Sequence, residues 1–373
     1  MHAWYISSGA RDRPMRKRLL LLVVISVILI LSMILITDPE AIWEDLVDTD
    51  FSIILCVVGL YLLNGVVKAA RWQVLLRSFG SEVPFKRLYM FLLIGLMVNN
   101  TTPGRVGGEP VRAYLLRLED ETPMGQGLST IFVERIMDLV VLLSMALTGI
   151  IIVLPQLLRV SDEIQWILFA FLPMIVLIVA LVFLASRPTL LKKATRFLFS
   201  FFRRFWKGRW LQKAEDGLTS FVDSFSDGFK LIRKKVFRVP RRGVAFTVLT
   251  VAIWINEAAR IYLILISLPE VEVPSFGAVL IASSVATVFG ALLPIGAMHA
   301  TLITTVFAIF KVDVASATTA GILTVGTSIW LSIPLGIAAM FIVGLKRDKV
   351  TGKLVKKEMI SSDEDRETGD EVE

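Results

Sequence analysis

Charged and amide side chains recur inside stretches that are otherwise apolar enough to sit in lipid. Asn64, Lys68 and Arg71 lie in one such run, Glu134, Arg135 and Asp138 in a second, and Asn256, Glu257 and Arg260 in a third. At the centre of a lipid-exposed helix a charge costs roughly 2.5–3.5 kcal/mol, so each must be paired, hydrated or put to use. The densest set is "NNTTPGRVGGEPVRAYLL", Asn99–Leu116, directly after the apolar "LYMFLLIGLMV". Pro103 ends a helix. Gly104, Gly107 and Gly108 permit tight turns and close backbone approach. Arg105, Glu109 and Arg112 surround the break. A half-helix from Glu109 onward would aim its N-terminal amides into the protein, where they suit an anion, and an arginine beside them suits a phosphate. No Gly-Lys-Ser/Thr follows, so this is not a P-loop. Asn99 and Asn100 head N-glycosylation sequons, but a site buried in this way could not be modified.

Lys68 and Arg71 share one helix face a turn apart, as do Glu257 and Arg260. Two roles are open for the first pair: lining a path, or snorkelling to the interface. In "ERIMD" the expectation is internal glue, with Arg135 meeting Asp138 or Glu134. Lys68 and Glu257 are candidates to pair with each other. His299, alone in an apolar run, is expected to be packed and neutral.

The elements that must hold these groups are transmembrane helices. The chain has 373 residues, of which 55% are hydrophobic, and a mean hydropathy of +0.70, too apolar for a soluble domain. One cysteine, Cys56, and two histidines, His2 and His299, exclude an internal disulfide and make a Cys/His metal centre improbable. Neither a metal nor a cofactor is expected. The net charge of +7 clusters beside apolar runs, which is how topology is written, so no nucleic-acid partner is expected.

The positive-inside rule gives a consistent path. Arg11, Arg13, Arg16, Lys17 and Arg18 keep the N-terminus cytoplasmic before a first span at 19–36. Asp38–Asp50, with six acids and no base, is an outside loop. Spans at Phe51–Leu76, Gly127–Leu154, 164–185, Gly243–Leu268 and Ala315–Leu345 follow. Between Arg187 and Arg242 there are sixteen Lys/Arg against four Asp/Glu, a cytoplasmic block. It carries apolar stripes at helical spacing, Leu191, Ala194, Leu198 and Phe202, then Leu211, Ala214, Leu218, Phe221, Phe225 and Phe229. These suit helices on an anionic lipid surface; the alternative is a small helical connector. Phe85–Val98 and Phe276–Phe310 do not read as simple spans. Their flanking charges put both ends on one side, which implies two re-entrant hairpins, one from each face. The fold class is therefore an all-α polytopic membrane protein of about 8 hydrophobic segments, six full spans plus two re-entrant helical hairpins; eight true spans is the alternative.

The two hairpins sit in units that resemble each other. "KAARW" at Lys68–Trp72 matches "EAARI" at Glu257–Ile261, "EVPF" at Glu82–Phe85 matches "EVPSF" at Glu272–Phe276, and Pro103 matches Pro294, all at offsets near 189–191. With opposite entry sides this is an inverted repeat, an arrangement of many secondary transporters.

"PGRVGGEPVRAYLL", "ARW" with the following leucines at Ala70–Leu76, and "VERIMDLVVLL" at Val133–Leu143 resemble the lysylphosphatidylglycerol synthase transmembrane-region family, the flippase-like domain proteins, in stand-alone prokaryotic and particularly archaeal members. The likeness spans roughly Arg16–Leu345. It implies a domain that moves lipids, or lipid-linked headgroups, between leaflets. The aminoacyl-transferase domain of the namesake synthases has no counterpart here, so no enzyme activity is expected. In the family the second hairpin reads Pro-Gly-Gly-x-Gly with a glutamate soon after; here it is "LLPIGAMHATL", with His299 near the acid's place.

The expected organisation is a cytoplasmic tail at 1–18, a flippase-like transmembrane domain at 19–345 with the basic insert at 187–242, and a cytoplasmic, basic-then-acidic tail at 346–373. The expected setting is the cell membrane, with both termini cytoplasmic. The expected partners are a membrane phospholipid or a polyprenyl-phosphate-linked lipid, and anionic lipid at the basic insert; oligomerisation is open. The leading expectation is a lipid translocase whose phosphate meets Arg105 and Arg112. An ion-coupled small-solute transporter and a membrane enzyme acting on lipid-linked sugars are the alternatives.

Overall fold

The computed structural model describes residues 28, 31–32, 34–35, 37–77, 80–102, 105, 107–157, 209–269, 271–290 and 296–344. Most of the expected first span, the span at 164–185, the first stripe of the basic insert, both tails, and Pro103, Gly104 and Pro294 lie outside the described residues. The protein is an all-α, polytopic membrane protein, and no strand occurs among the described residues.

Helix α1 (Pro39–Asp48) occupies the acidic stretch expected to be a loop. Asp38 starts it, accepting from the backbone N–H groups of Glu40 and Ala41 at 3.0 and 3.4 Å, and Pro39 supplies a preset first turn. Among the described residues, four elements are long and apolar enough to cross a membrane. They are α2 (Phe51–Leu76), α5 (Met124–Leu157), α7 (Pro240–Ser267), and a continuous helix formed by α10 (Val314–Val325), a π-helical turn (Gly326–Trp330) and α11 (Leu331–Val343).

Two pairs of shorter helices separate them: α3 (Phe85–Thr101) with α4 (Gly108–Asp120), and α8 (Phe276–Phe289) with α9 (Ala297–Ile309). At 1.5 Å per residue the four arms measure about 20–26 Å, short of the ~30 Å hydrocarbon core. In each pair the second helix folds back on the first. At the first turn Gly108 lies so close to the Gly95 carbonyl that no Cβ would fit. In the second hairpin His299 Nδ1 lies 2.9 Å from the Ala286 carbonyl oxygen.

The elements recur at near-constant spacing. Helices α3, α4 and α5 begin at 85, 108 and 124, and α8, α9 and α10 at 276, 297 and 314. Packing is reciprocal. Helix α3 of the first set packs on α11 of the second, and α8 of the second packs on α5 of the first. Helices α2 and α7 run antiparallel between them, with Asp50 N–H donating to the Ser267 carbonyl at 3.0 Å. At their crossing Asn64 Nδ2 donates to the Ile253 carbonyl at 3.3 Å, and these residues are 189 positions apart.

Lipid offers no hydrophobic drive between helices, so close packing of small residues must hold these seams. A Cβ on Gly149 would lie 2.6 Å from the Gly277 carbonyl oxygen, and one on Gly277 would lie 2.9 Å from that of Gly149. Around this contact, α5 and α7–α10 bury Leu142, Met145, Ile261, Ile264, Leu280, Ile303 and Phe307 in the largest apolar cluster.

Helix α6 (Arg209–Ile232), the second half of the basic insert, docks on protein. Phe225 meets Phe132 of α5 edge-on, with centroids 5.3 Å apart. Ile232 and Val236 join Leu75, Val133 and Phe246 in a buried cluster. Of the second stripe, Phe225 thus packs against the start of α5.

The Gly149–Gly277 seam should not tolerate a side chain. Gly149→Leu is expected to lower the melting temperature in detergent, at an overpacking cost of about 1–3 kcal/mol. Gly59→Ala, at a glycine with nothing within 4 Å of its Cβ position, is expected to leave it unchanged.

Candidate functional site

The polar side chains singled out in the sequence converge on one place, where α2, α4, α5 and α7 meet the hairpin turns. Most are held by ion pairs. Arg71 reaches Asp138 through two nitrogens, at 2.5 and 3.3 Å, and Glu134 at 3.5 Å. Glu134 also takes Arg112 at 2.9 Å. Asp138 accepts the Trp254 indole N–H at 2.9 Å. Arg112 stacks over the Trp72 ring, 4.2 Å from its centroid, and Trp72 Nε1 donates to Thr130 at 2.9 Å. Arg71, Arg112, Glu134 and Asp138 are all buried. They tie α2, α4, α5 and α7 together by charge-assisted hydrogen bonds, the strong kind in a low dielectric.

Two further pairs complete the set. Arg135 bonds Glu109 of α4, and Arg260 bonds Glu257 at 3.0 Å on its own helix. Arg260 is fully buried and lies over Tyr61, 5.1 Å from the ring centroid. Asn64 Nδ2 approaches Glu257 at 3.4 Å. These partners differ from those expected. Arg135 pairs across helices with Glu109 rather than with Asp138 or Glu134. Glu257 is taken by Arg260 and Asn64, not by Lys68. Arg71 is locked inside and does not snorkel. Arg135 and Arg71 find their carboxylates on neighbouring helices, within reach of a guanidinium fork, whereas Glu257 is met by the arginine one turn along its own helix.

The hairpin turn is equally tied. Asn99 accepts from the Gly108 backbone N–H at 2.6 Å and donates to Glu109 at 3.1 Å. The first amide of α4, expected to face an anion, is thus engaged by a side chain of its own hairpin. Pro110 brings no N–H, and Glu109 places a negative charge in the first turn, where it suits the helix dipole. Arg105 sits between the arms at φ 53°, a left-handed conformation rare for arginine. Its guanidinium donates to Asn100 Oδ1 at 2.9 Å, and Asn100 Nδ2 donates to Ser332 at 2.8 Å.

In front of this network lies a cavity of about 300 Å³. It is lined by Tyr61 and Lys68 of α2, Leu96, Asn99, Asn100 and Arg105 of the first hairpin, Arg135 of α5, Trp254 and Glu257 of α7, Thr287 and His299 of the second hairpin, and Ser328 and Ile329 of the π-helical turn. Both halves of the chain contribute. Of the residues singled out in the sequence, Lys68, Asn99, Asn100, Arg105, Arg135, Glu257 and His299 face it. Asn64, Arg71, Glu109, Arg112, Glu134, Asp138 and Arg260 stand behind the wall in pairs, and Gly107 and Gly108 shape the turn. Asn256 is half-buried outside it, with no hydrogen bond to its buried Oδ1 among the described residues. Tyr61, Thr287 and Ser328 were not singled out in the sequence. Tyr61 had a signal, since it precedes Lys68 by seven residues on one helix face; Thr287 and Ser328 had none.

The charge balance of this region is uneven. It contains six cations, Lys68, Arg71, Arg105, Arg112, Arg135 and Arg260, and four carboxylates, Glu109, Glu134, Asp138 and Glu257. The carboxylates are all paired with arginine. Lys68 and Arg105 have no carboxylate within salt-bridge distance among the described residues, and both face the cavity. The wall is accessible: Arg135 keeps 49% of its side-chain surface exposed despite its ion pair. A hydrated space relieves the cost of two uncompensated cations, and an anion relieves it further.

The paired network should be fragile to single cuts. Arg71→Ala strands Asp138 and half of Glu134, and is expected to destabilise the protein by about 3–5 kcal/mol, read as a lost or much lower melting transition in detergent. The double change Arg71→Met with Asp138→Leu is expected to recover part of that loss.

Comparison with known proteins places the chain among membrane proteins. A family model described as "Lysylphosphatidylglycerol synthase TM region" matches residues 19–336. A "UPF0104 membrane protein" of Methanocaldococcus jannaschii is 26% identical over 341 residues, covering 89% of this chain and 97% of that protein. A "UPF0104 membrane protein" of Methanothermobacter thermautotrophicus is 29% identical over 253 residues, covering 65% of this chain and 71% of that protein. "Glycosyltransferase AglD" of Haloferax volcanii is 26% identical over 129 residues, which is 35% of this chain and 20% of that protein.

Proposed function

The chain belongs to the lysylphosphatidylglycerol synthase transmembrane-region family, and from that premise we propose that it translocates a lipid, or a lipid-linked headgroup, whose phosphate binds in the cavity between its two halves. The observation that carries this reading is the pair of cavity-facing cations without a carboxylate, Lys68 and Arg105. A phosphate is the membrane's commonest anion that can enter between helices, and two cations from different elements would hold it from two sides. Asn99, Asn100 and Ser328 add neutral polar groups suited to the rest of a headgroup. Arg112, by contrast, acts from behind as a brace for Glu134.

An inverted repeat gives this cavity its mechanical sense. It is supported by the near-constant spacing of the elements, by the exchange of α3 and α8 onto the opposite half, and by the meeting of Asn64 with Ile253. A residue that touches its own counterpart marks where a two-fold axis passes. Rocking one half against the other about that axis would expose the cavity alternately to the two faces of the cell membrane, with the basic flanks and both termini cytoplasmic. We read the chain as a carrier and not an enzyme. The four core carboxylates are held by arginines, an arrangement that positions charge and leaves none of these carboxylates free as an acid or base. The fifth of the glycosyltransferase that the chain resembles carries no activity across. Glu257, a carboxylate facing the cavity, favours the second reading, an ion-coupled solute transporter; proton-dependent uptake without lipid specificity would support that instead.

The full-length protein reconstituted in liposomes with fluorescent phosphatidylglycerol tests the proposal. Each charged hydrogen bond to phosphate is worth about 1.5–3 kcal/mol, so Lys68→Ala and Arg105→Ala are each expected to slow translocation at least tenfold with an unchanged melting temperature. Wild-type rates in both variants would overturn it.

A further inference from the structure

The cavity does not end at its polar wall. A crevice of about 10 Å³ lies in the seam between α2 and α3, lined by Tyr61, Leu62, Gly65, Lys68, Tyr89, Leu93 and Leu96. Tyr61, Lys68 and Leu96 also line the main cavity, so the two spaces adjoin at these side chains. Away from Lys68 and the two tyrosine hydroxyls the crevice is apolar. Its outer lip belongs to the exposed face of α2, where Leu62, Leu63 and Val66 are 38%, 52% and 40% exposed. Such a face in a membrane protein meets lipid tails.

Gly65 and Tyr89 set the width of the seam. A Cβ at position 65 would lie 3.1 Å from Tyr89 Cε2 and 3.6 Å from the Tyr89 hydroxyl oxygen. The missing side chain is therefore the room in which the Tyr89 ring sits. Tyr89 makes no hydrogen bond to a described residue, so moving the ring breaks none of the described polar contacts. The other half of the chain is built differently. The position 189 residues beyond Gly65 is Trp254, whose indole is anchored to Asp138 at 2.9 Å and which lines the main cavity.

We propose that the α2–α3 seam is a lateral portal through which one hydrocarbon chain of the bound lipid passes from the cavity into the bilayer, with Tyr89 as its movable cover over Gly65. The proposal rests on the reading of the cavity as a phosphate-headgroup site. The occupant is a lipid tail because the crevice is apolar, opens on a lipid-facing surface, and joins the cavity at Lys68, where the headgroup's charge would be met. A free phosphate or a soluble solute has no use for this seam. With about one water's worth of space, the portal in this structure is closed.

The test uses the full-length protein and two readouts. One is translocation of long-chain fluorescent phosphatidylglycerol in liposomes. The other is binding in detergent of dihexanoyl phosphatidylglycerol, whose tails are too short to need the portal. Gly65→Phe is expected to slow translocation at least tenfold while changing short-chain affinity less than twofold. Leu63→Phe, on the exposed face beside it, is expected to leave both at wild-type values. If Gly65→Phe does not fold, Tyr89→Trp supplies the plug from the opposite helix, with the same expectation. Translocation at the wild-type rate in the plugged protein overturns the portal, as does a joint loss of translocation and short-chain binding, which would mean the headgroup site itself had been filled. Failure of the wild-type protein to bind the short-chain lipid sinks the headgroup reading and takes the portal with it.

Discussion

The fold depends on keeping charge inside a membrane protein without leaving it unpaired. Arg71 answers that constraint for the core: one guanidinium holds Asp138 and Glu134, and through them Trp254 and Arg112. Four helices remote in sequence are fixed in register by that cluster. An isolated pair of this kind contributes little net stability, because desolvation offsets most of the attraction. Its value lies in what happens when it is misaligned, since every alternative register would strand several charges at once. The same logic makes the leftover charges informative. Once each carboxylate is assigned its arginine, Lys68 and Arg105 remain, and both face water-accessible space.

Packing explains why that space exists. The halves meet at seams of glycine and other small residues, where α5 and α8 touch backbone to backbone and can come no closer. Between them the hairpin turns stop partway, because their arms are too short to cross. The π-helical turn at Gly326–Trp330 widens the last span where Ser328 and Ile329 complete the wall; such bulges recur at functional sites. The cavity is thus bounded by elements that end or distort beside it, the kind of setting in which irregular backbone is tolerated in a membrane protein. Arg105, held at a positive φ within a hairpin turn, is the most strained of the described wall residues and one of the two unpaired cations. That coincidence links the local backbone to the proposed ligand.

Much of this was legible in the sequence, for stated physical reasons. Apolar length located the four described spans, with α2 read at Phe51–Leu76 and found there. Polarity inside those runs located seven of the thirteen residues that line the cavity, among them all of its charged ones. The spacing of "KAARW" and "EAARI" located Lys68 and Glu257, which face it from opposite halves. What was not legible was pairing. Periodicity says which residues share a face of one helix, but not which face of another helix comes to meet it. So the ion pair of Arg112 with Glu134 was not foreseen, and Arg135 was given a partner on its own helix. The N-terminus of α4 read as an anion site because sequence does not show that Asn99 folds back onto the Gly108 amide. The acidic stretch at Asp38–Asp50 read as solvated loop, although Asp38 before Pro39 is a helix-start signal in its own right.

The central claim is that Lys68 and Arg105 hold an anionic lipid headgroup between the two halves. Native mass spectrometry of protein extracted gently from its own membranes tests it most directly. The account predicts a co-purifying phosphate-bearing lipid on the wild-type protein that is lost from the Lys68→Ala, Arg105→Ala double variant, with the protein still folded. A wild-type protein that carries no such lipid, or a double variant that retains it at the same occupancy, would contradict the account.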